Sequence, residues 1–315
     1  MAEVDKVMEE AVVETPQTEE IDIELESDKE DLTTQEVVED SQEFYKNLAL
    51  DLSEDILKSI SKELVDEYKK DKISRKDWET SYTNGLDLLG FRSFEMTRPF
   101  KGSAAVTHPL LAEAVTQFQA QAYKELLPSD GPVRTKVIGA EDQQKVEQAS
   151  RVQEFMNYMI TDQMEEYTPD MDQLLFYLPL AGSAFKKVYY DEIMQRAVAK
   201  FVPAEDIVVP YYATDLMDCE RITHIVKMGE NEILKQQKAG FYRDVELQPV
   251  QFEKSQIQKK YEQLEGITPS GEDATSFNIL EMHVDLNLEE FEYDDAEKDV
   301  KIPYIVTIDE GSGEV

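Results

Sequence analysis

Helices first and a meander of strands afterwards make this chain an α+β protein. Apolar residues recur at three- and four-residue steps between Leu48 and Leu180, whereas beyond Gly182 they alternate or gather in short runs bounded by Gly, Pro and Asp. A block of helices followed by a block of strands points to that class and away from a doubly wound parallel sheet. At 315 residues, 41% of them apolar, the chain has material for one large domain or two smaller ones.

The elements follow in order. Leu48, Leu52, Ile56, Leu57, Ile60 and Leu64 form one stripe of a helix capped by Ser53 and running to Tyr68. A mixed segment, Lys69-Lys70-Asp71-Lys72 and Arg75-Lys76-Asp77-Trp78, precedes a resumed helical pattern through Tyr82, Leu86 and Leu89 that Gly90 ends. Arg98-Pro99-Phe100-Lys101-Gly102-Ser103 is a breaker. Pro109 then opens a helix carrying Leu111, Ala114, Val115, Phe118, Ala122 and Leu126, which stops at Pro128. The other side of that helix holds Thr116, Gln117, Gln119 and Gln121, polar with little charge, which suits contact with another subunit or burial under this chain's own loops.

A turn at Ser129-Asp130-Gly131-Pro132 leads to a short strand over residues 133–138 and a long helix over 141–166, with Val146, Val152, Phe155, Met156, Met159 and Ile160 on its apolar side. Residues 171–180 give another helix before Gly182. Strands are expected over 184–190, 197–202, 207–210, 221–228, 277–286 and 302–308, and helices over 230–238, stopped by Gly240, and 251–264, stopped by Gly266. The turn Asp309-Glu310-Gly311-Ser312-Gly313 ends the last strand and Glu314-Val315 reads as the start of a return, so the chain is expected to be a fragment.

The charge is lopsided, with 68 acidic residues against 32 basic and a net −36. That excess excludes a protein that wraps duplex DNA electrostatically or adheres to an anionic membrane. Residues 1–45 hold 17 acidic and 2 basic residues, net −15, and read as a disordered acidic tail ahead of a folded region over 46–315 that carries the remaining −21. Within the tail, Ile21-Asp22-Ile23-Glu24-Leu25-Glu26 alternates apolar and acidic residues and fits either a strand added to a partner's sheet or plain solvated chain. The cluster Lys69, Lys70, Lys72, Arg75, Lys76 is interrupted by Asp71 and flanked by Asp77 and Glu79, which favours a solvated face over a phosphate contact.

A single cysteine, Cys219, forms no intrachain disulfide, and His108, His224 and His283 are scattered, which leaves little for a transition-metal site. Apolar stretches fall short of the roughly 20 residues of a membrane span and the N-terminus is acidic, so a soluble, intracellular protein without membrane contact is expected.

Motifs that carry chemistry are sparse. Gly85 and Gly90 have phosphate-loop spacing, but Phe91-Arg92 stands where the grasping lysine and the magnesium-binding hydroxyl belong. Asp170 and Asp172 can ligate Mg²⁺ or simply cap and charge a helix start; the acidic run around Asp294-Asp295 lacks the spacing of a calcium loop. His224, between Ile222 and Val226 in a strand, reads as a satisfied structural histidine. No catalytic, cofactor or metal residues are assigned, and the chain is not expected to be an enzyme.

Longer strings carry a resemblance. Phe100-Lys101-Gly102-Ser103-Ala104-Ala105-Val106-Thr107-His108-Pro109-Leu110-Leu111-Ala112-Glu113-Ala114-Val115-Thr116-Gln117-Phe118-Gln119-Ala120 resembles the first signature of tailed-bacteriophage portal proteins, the head-to-tail connectors, of the large type found in short-tailed phages. Leu174-Leu175-Phe176-Tyr177-Leu178-Pro179-Leu180-Ala181-Gly182-Ser183-Ala184-Phe185-Lys186-Lys187 is similar to the family's helix-to-hairpin passage, Phe201-Val202-Pro203-Ala204-Glu205-Asp206-Ile207 continues it, and Thr223-His224 follows in the same order. The likeness spans about residues 78–265. It implies a homo-oligomeric ring, usually of about twelve subunits, at one capsid vertex, without an ATPase or cofactor of its own.

The resemblance further implies partners. They are the major capsid and scaffolding proteins, the terminase that drives double-stranded DNA through the ring, and the tail adaptors. It places the protein in the virion, and in the host cytoplasm during assembly. Residues 46–315 would be the outer wing and its β elements, with stem and clip following. A strongly acidic chain suits a conduit that must not grip its DNA. An acidic cytosolic binding scaffold and a metal-dependent nuclease or hydrolase are the alternatives.

Overall fold

The computed structural model describes residues 47–89, 100–103, 108–140, 142–191, 194–247, 255–266, 276–288 and 301–315. The acidic tail with its Ile21–Glu26 motif, Gly90, residues 104–107 of the first signature and the acidic run around Asp294 lie outside these residues. The architecture is α+β, with helices concentrated in the N-terminal half and antiparallel strands after them.

Helix α1 (Glu54–Ser74) starts where Ser53, in extended backbone, accepts the Ile56 N–H, and Glu54 and Asp55 in the first turn face the positive end of the helix dipole. It runs six residues past Tyr68, through the charged segment expected to break it. The reason is tertiary. Asp71 is buried and accepts Arg221 Nε at 3.1 Å and Nη2 at 2.8 Å, while Glu67, one turn earlier, takes Nη1. The chain bends at Arg75 and continues as α2 (Lys76–Leu89).

Arg75 makes the bend. Its guanidinium donates to Glu205 O at 2.7 Å, Ile207 O at 3.0 Å and Glu79 Oε1 at 3.0 Å, and lies 5.6 Å from the Trp78 ring.

Helix α3 (Leu110–Leu126) begins after Pro109, as the sequence indicates. The expected strand over 133–138 is not paired with any strand among the described residues. Its extended backbone is met by side chains of α4 (Gln143–Tyr158): Val133 N donates to Asn157 Oδ1 at 2.8 Å and Thr135 N to Gln153 Oε1 at 3.2 Å. Those amides replace the ladder that a neighbouring strand would give. The helix expected over 141–166 is α4 continued by a π turn at Met159–Gln163, closed by Met164 N–H to Met159 O at 2.9 Å, and after buried Met164 the helix expected over 171–180 starts four residues earlier, as α5 (Tyr167–Ala181). Gly182, at φ 84°, ends α5 in the left-handed conformation.

Strands β1 (Ala184–Asp191) and β2 (Arg196–Pro203) form a hairpin paired from Ala184 with Pro203 to Asp191 with Arg196. It docks on α5. Glu166 clamps Arg196 at 2.8 and 2.9 Å, Asp170 Oδ2 accepts Phe201 N–H at 2.8 Å, Tyr177 stacks on Phe201, and Lys186 Nζ sits 3.5 Å from the Tyr167 ring centre.

After a 3-10 turn (Ala204–Asp206), β3 (Ile207–Val208), β4 (Arg221–Gly229), β5 (Ser276–Leu286) and β6 (Ile302–Asp309) form an antiparallel sheet in chain order, with α6 (Glu230–Lys238) after β4 and α7 (Gln256–Glu265) after that. One sheet face buries Leu280, Met282, Val284 and Ile308 against Leu64, Val65 and Tyr68 of α1. The other buries Phe277 and Ile279 under Ile233 of α6. β5 is covered on both sides only in its first half: beyond Leu280 its second face turns polar with Glu281, His283 and Asp285, while each large apolar side chain that is fully buried contributes roughly 1.5–3 kcal/mol. A separate cluster, Tyr82, Leu86, Ala181, Ala204 and Ile257, ties α2 and α7 to the end of α5. The turn after β6 is built by Asp309, whose Oδ2 accepts Ser312 N–H and Oγ–H at 2.7 Å each.

Candidate functional site

A helix with little charge in an acidic chain is the feature that the sequence flagged, and α3 shows how it is disposed. Its inner side buries Val115, and Gln119 on that side donates from Nε2 to Asp172 Oδ1 of α5 at 2.8 Å. Its outer side carries Leu110, Ala114, Gln117 and Gln121, all exposed, spaced four, three and four residues apart along the helix. That is the spacing of a seam between paired helices. Thr116 is also exposed and bonds its own helix, Oγ1 to Ala112 O at 2.5 Å, and Gln117 Nε2 donates to Glu113 Oε1 at 3.3 Å. Thr116, Gln117, Gln119 and Gln121 therefore do not make one face: Gln119 is part of the chain's own α3–α5 contact and the other three look outward.

The apolar stripe of α4 is open as well. No residue of this helix is buried, and Val146, Val152, Phe155, Met156 and Tyr158 are exposed, Phe155 at 59%. A monomer exposing that many large apolar groups on one element has a surface suited to a contact. Residues 133–158 balance acids and bases, four of each, so this arm carries no net charge in a chain of −36.

The carboxylates flagged for magnesium are engaged elsewhere, Asp170 with the Phe201 amide and Asp172 with Gln119. Two cations of the Lys69–Lys76 cluster are engaged too, Arg75 as described and Lys72 with Tyr68 Oη at 3.0 Å. Among the described residues, no three His, Cys, Asp or Glu side chains come together in a way that could hold a metal ion, and no helix is long and apolar enough to cross a membrane.

One polar cluster escaped the sequence reading. Glu281 of β5 lies opposite His224 of β4 in the strand register, and His283 approaches its Oε1 with Nε2 at 3.3 Å. Lys187 reaches over from the β1–β2 hairpin and donates to both Glu281 oxygens, at 2.5 and 2.7 Å. Burial alone would raise the Glu281 carboxyl, but the hydrogen bonds from His283 and Lys187 together with the charge of Lys187 outweigh it and bring it down to about 2. His224 does not match the satisfied histidine expected: its Nδ1 is buried with no hydrogen-bond partner among the described residues. Burial first, and Lys187 second, hold His224 below its ordinary value, against the pull of Glu281. The signal was present in the strand phases, since residues 224, 281 and 283 fall on one sheet face once β4 and β5 are aligned.

Comparison with protein-family models and with curated protein sequences yields no match to this chain.

Proposed function

We propose that the chain is a structural subunit of a homo-oligomeric ring of the portal type, assembled through the outer side of α3 and the open stripe of α4, and not an enzyme. The observation that carries the reading is the uncharged, exposed stripe Leu110, Ala114, Gln117 and Gln121. Copies of a chain at −36 repel one another, so they meet where a face is free of charge. Interface centres are poor in charged residues and rich in aromatic residues and Met, which describes the α4 stripe with Phe155, Met156 and Tyr158. Two such elements on one chain suit a head-to-tail contact in which α3 of one copy meets α4 of the next, the arrangement that closes into rings. The likeness of residues 78–265 to portal proteins supplies the kind of ring, and with it DNA passage, terminase and tail adaptors as partners.

The test places charge on the seam. Gln117→Glu with Gln121→Glu is expected to leave the thermal midpoint of the chain nearly unchanged while shifting sedimentation velocity from large species toward monomer. A large loss of stability with assembly intact would make this face part of the chain's own core and refute the reading.

A further inference from the structure

Two of the chain's three histidines converge on one carboxylate at the place where the hairpin meets the sheet. We propose that Lys187, Glu281, His224 and His283 form a proton-operated latch, which holds the β1–β2 hairpin against the four-stranded sheet at neutral pH and lets it go on mild acidification.

The geometry supplies the latch. The Lys187–Glu281 pair joins residues 94 positions apart, and its two short hydrogen bonds tie the middle of β1 to the middle of β5. The hairpin's other anchors, Glu166–Arg196, Asp170–Phe201 and Tyr177–Phe201, run to α5. Opening the pair therefore removes the side-chain tie between β1 and β5 and leaves the hairpin seated on its helix, joined to the sheet through the 204–206 turn.

The charges around His224 supply the trigger. From β1 it faces Lys187, and behind that stands Lys200 of β2, with both ammonium groups about the Tyr189 ring at 5.8 and 6.0 Å. From β5 it faces Glu281 and His283; along β4 its same-side neighbours are Ile222 and Val226, and Thr307 of β6 pairs with Glu281. Tyr242, after α6, also feels the Glu281 charge. While His224 is neutral, Glu281 is paired with the Lys187 ammonium, and Lys200 adds a second positive charge on the hairpin beside it. When His224 takes a proton from solvent, it becomes a cation directly opposite Glu281 and beside Lys187. It then competes for the carboxylate from a fixed strand position and repels the lysine that comes from the hairpin.

The sign follows from His224. Its value in the fold lies below the ordinary 6.5, so the unfolded or opened chain binds the proton first. The neutral cluster's contribution is complete above about pH 6.5 and is lost as pH falls through the depressed value. Glu281, at about 2, stays ionised across that window, so of these two groups His224 is the one that changes.

Hydrogen–deuterium exchange on the 315-residue chain tests this. After correction for the intrinsic pH dependence, amides of β1 are expected to lose protection about tenfold between pH 7 and pH 5, with α5 unchanged. In His224→Gln the protection of β1 is expected to be the same at both pH values, and in Lys187→Met it is expected to be low at both. Unchanged β1 protection in the wild-type chain overturns the latch, as does equal loss in β1 and α5. Where His224→Gln folds, a pH-dependent loss like that of the wild type overturns it as well.

Discussion

Asn157 stands in for a neighbouring strand at Val133: its Oδ1 accepts the Val133 N–H at 2.8 Å and its Nδ2 donates to Val133 O at 3.2 Å. Gly131 lies against the same amide, at φ 94°, where an added Cβ would come within 2.4 Å of Asn157 Cγ. Backbone that looks like a strand in sequence is held here by a helix.

Asn157→Ala leaves both groups of Val133 without this partner and is expected to destabilise the 131–138 segment by about 1–3 kcal/mol. Gly131→Ala is expected to act on the same segment, through a strained backbone and displacement of the Asn157 amide. Hydrogen exchange of peptides covering 131–138 checks both. Unaltered protection in both variants would show that Asn157 is incidental.

Arg221 is the second joint. Its side chain and that of Asp71 are both nearly excluded from solvent, and it joins α1 to β4 across 150 positions of sequence. Arg221→Met strands a buried carboxylate and is expected to cost about 3–5 kcal/mol, whereas the double variant with Asp71→Asn is expected to recover part of that loss. Urea denaturation of the two variants measures it, and a double variant no better than the single one would argue against the coupling.

The same pair shows what the sequence hides. Hydrophobic steps located α1, α3 and strands β1 to β6, and α6 falls on the expected residues 230–238, because periodicity and glycine stops are local signals. Lys69–Lys72 read as a break because nothing local says that Asp71 is neutralised by Arg221. Residues 133–138 read as a strand because extended propensity does not say who pairs with it. His224, Glu281 and His283 stayed scattered until the β4–β5 register brought them together. On α3, composition identified the low charge, but the helical phase that turns Gln119 inward needed the contact with Asp172.

Glu205 gives a pH effect of the opposite sign to His224. Burial first, then the neighbouring Asp206 carboxylate, push Glu205 up to about 7, against the pull of Lys227 and Arg75. A raised carboxyl favours the fold while it is protonated. That contribution is complete below about pH 4.5 and is lost as pH rises through about 7. Glu205→Gln is therefore expected to raise the thermal midpoint by about 2 °C at pH 8 and to change it little at pH 4.5, a gain of about 1 kcal/mol. Calorimetry at the two pH values decides, and an equal shift at both would remove titration as the cause.

Duplex DNA is expected not to bind the chain at physiological salt. The folded region carries −21, and of its one basic cluster Arg75 and Lys72 already have partners within the chain. Non-specific binding at roughly 10⁻⁴–10⁻⁶ M needs several phosphate contacts on one face. A fluorescence-anisotropy titration with a duplex of ~30 base pairs checks it; micromolar binding that weakens steeply with salt would reveal a basic surface and contradict the expectation.

The ring itself is the claim on which the functional reading stands, and negative-stain imaging of the purified chain addresses it most directly. The account predicts closed rings with a central hole, reduced to single particles by Gln117→Glu with Gln121→Glu. Uniform monomers at concentrations well above micromolar, with the α4 stripe still exposed to solvent, would contradict it.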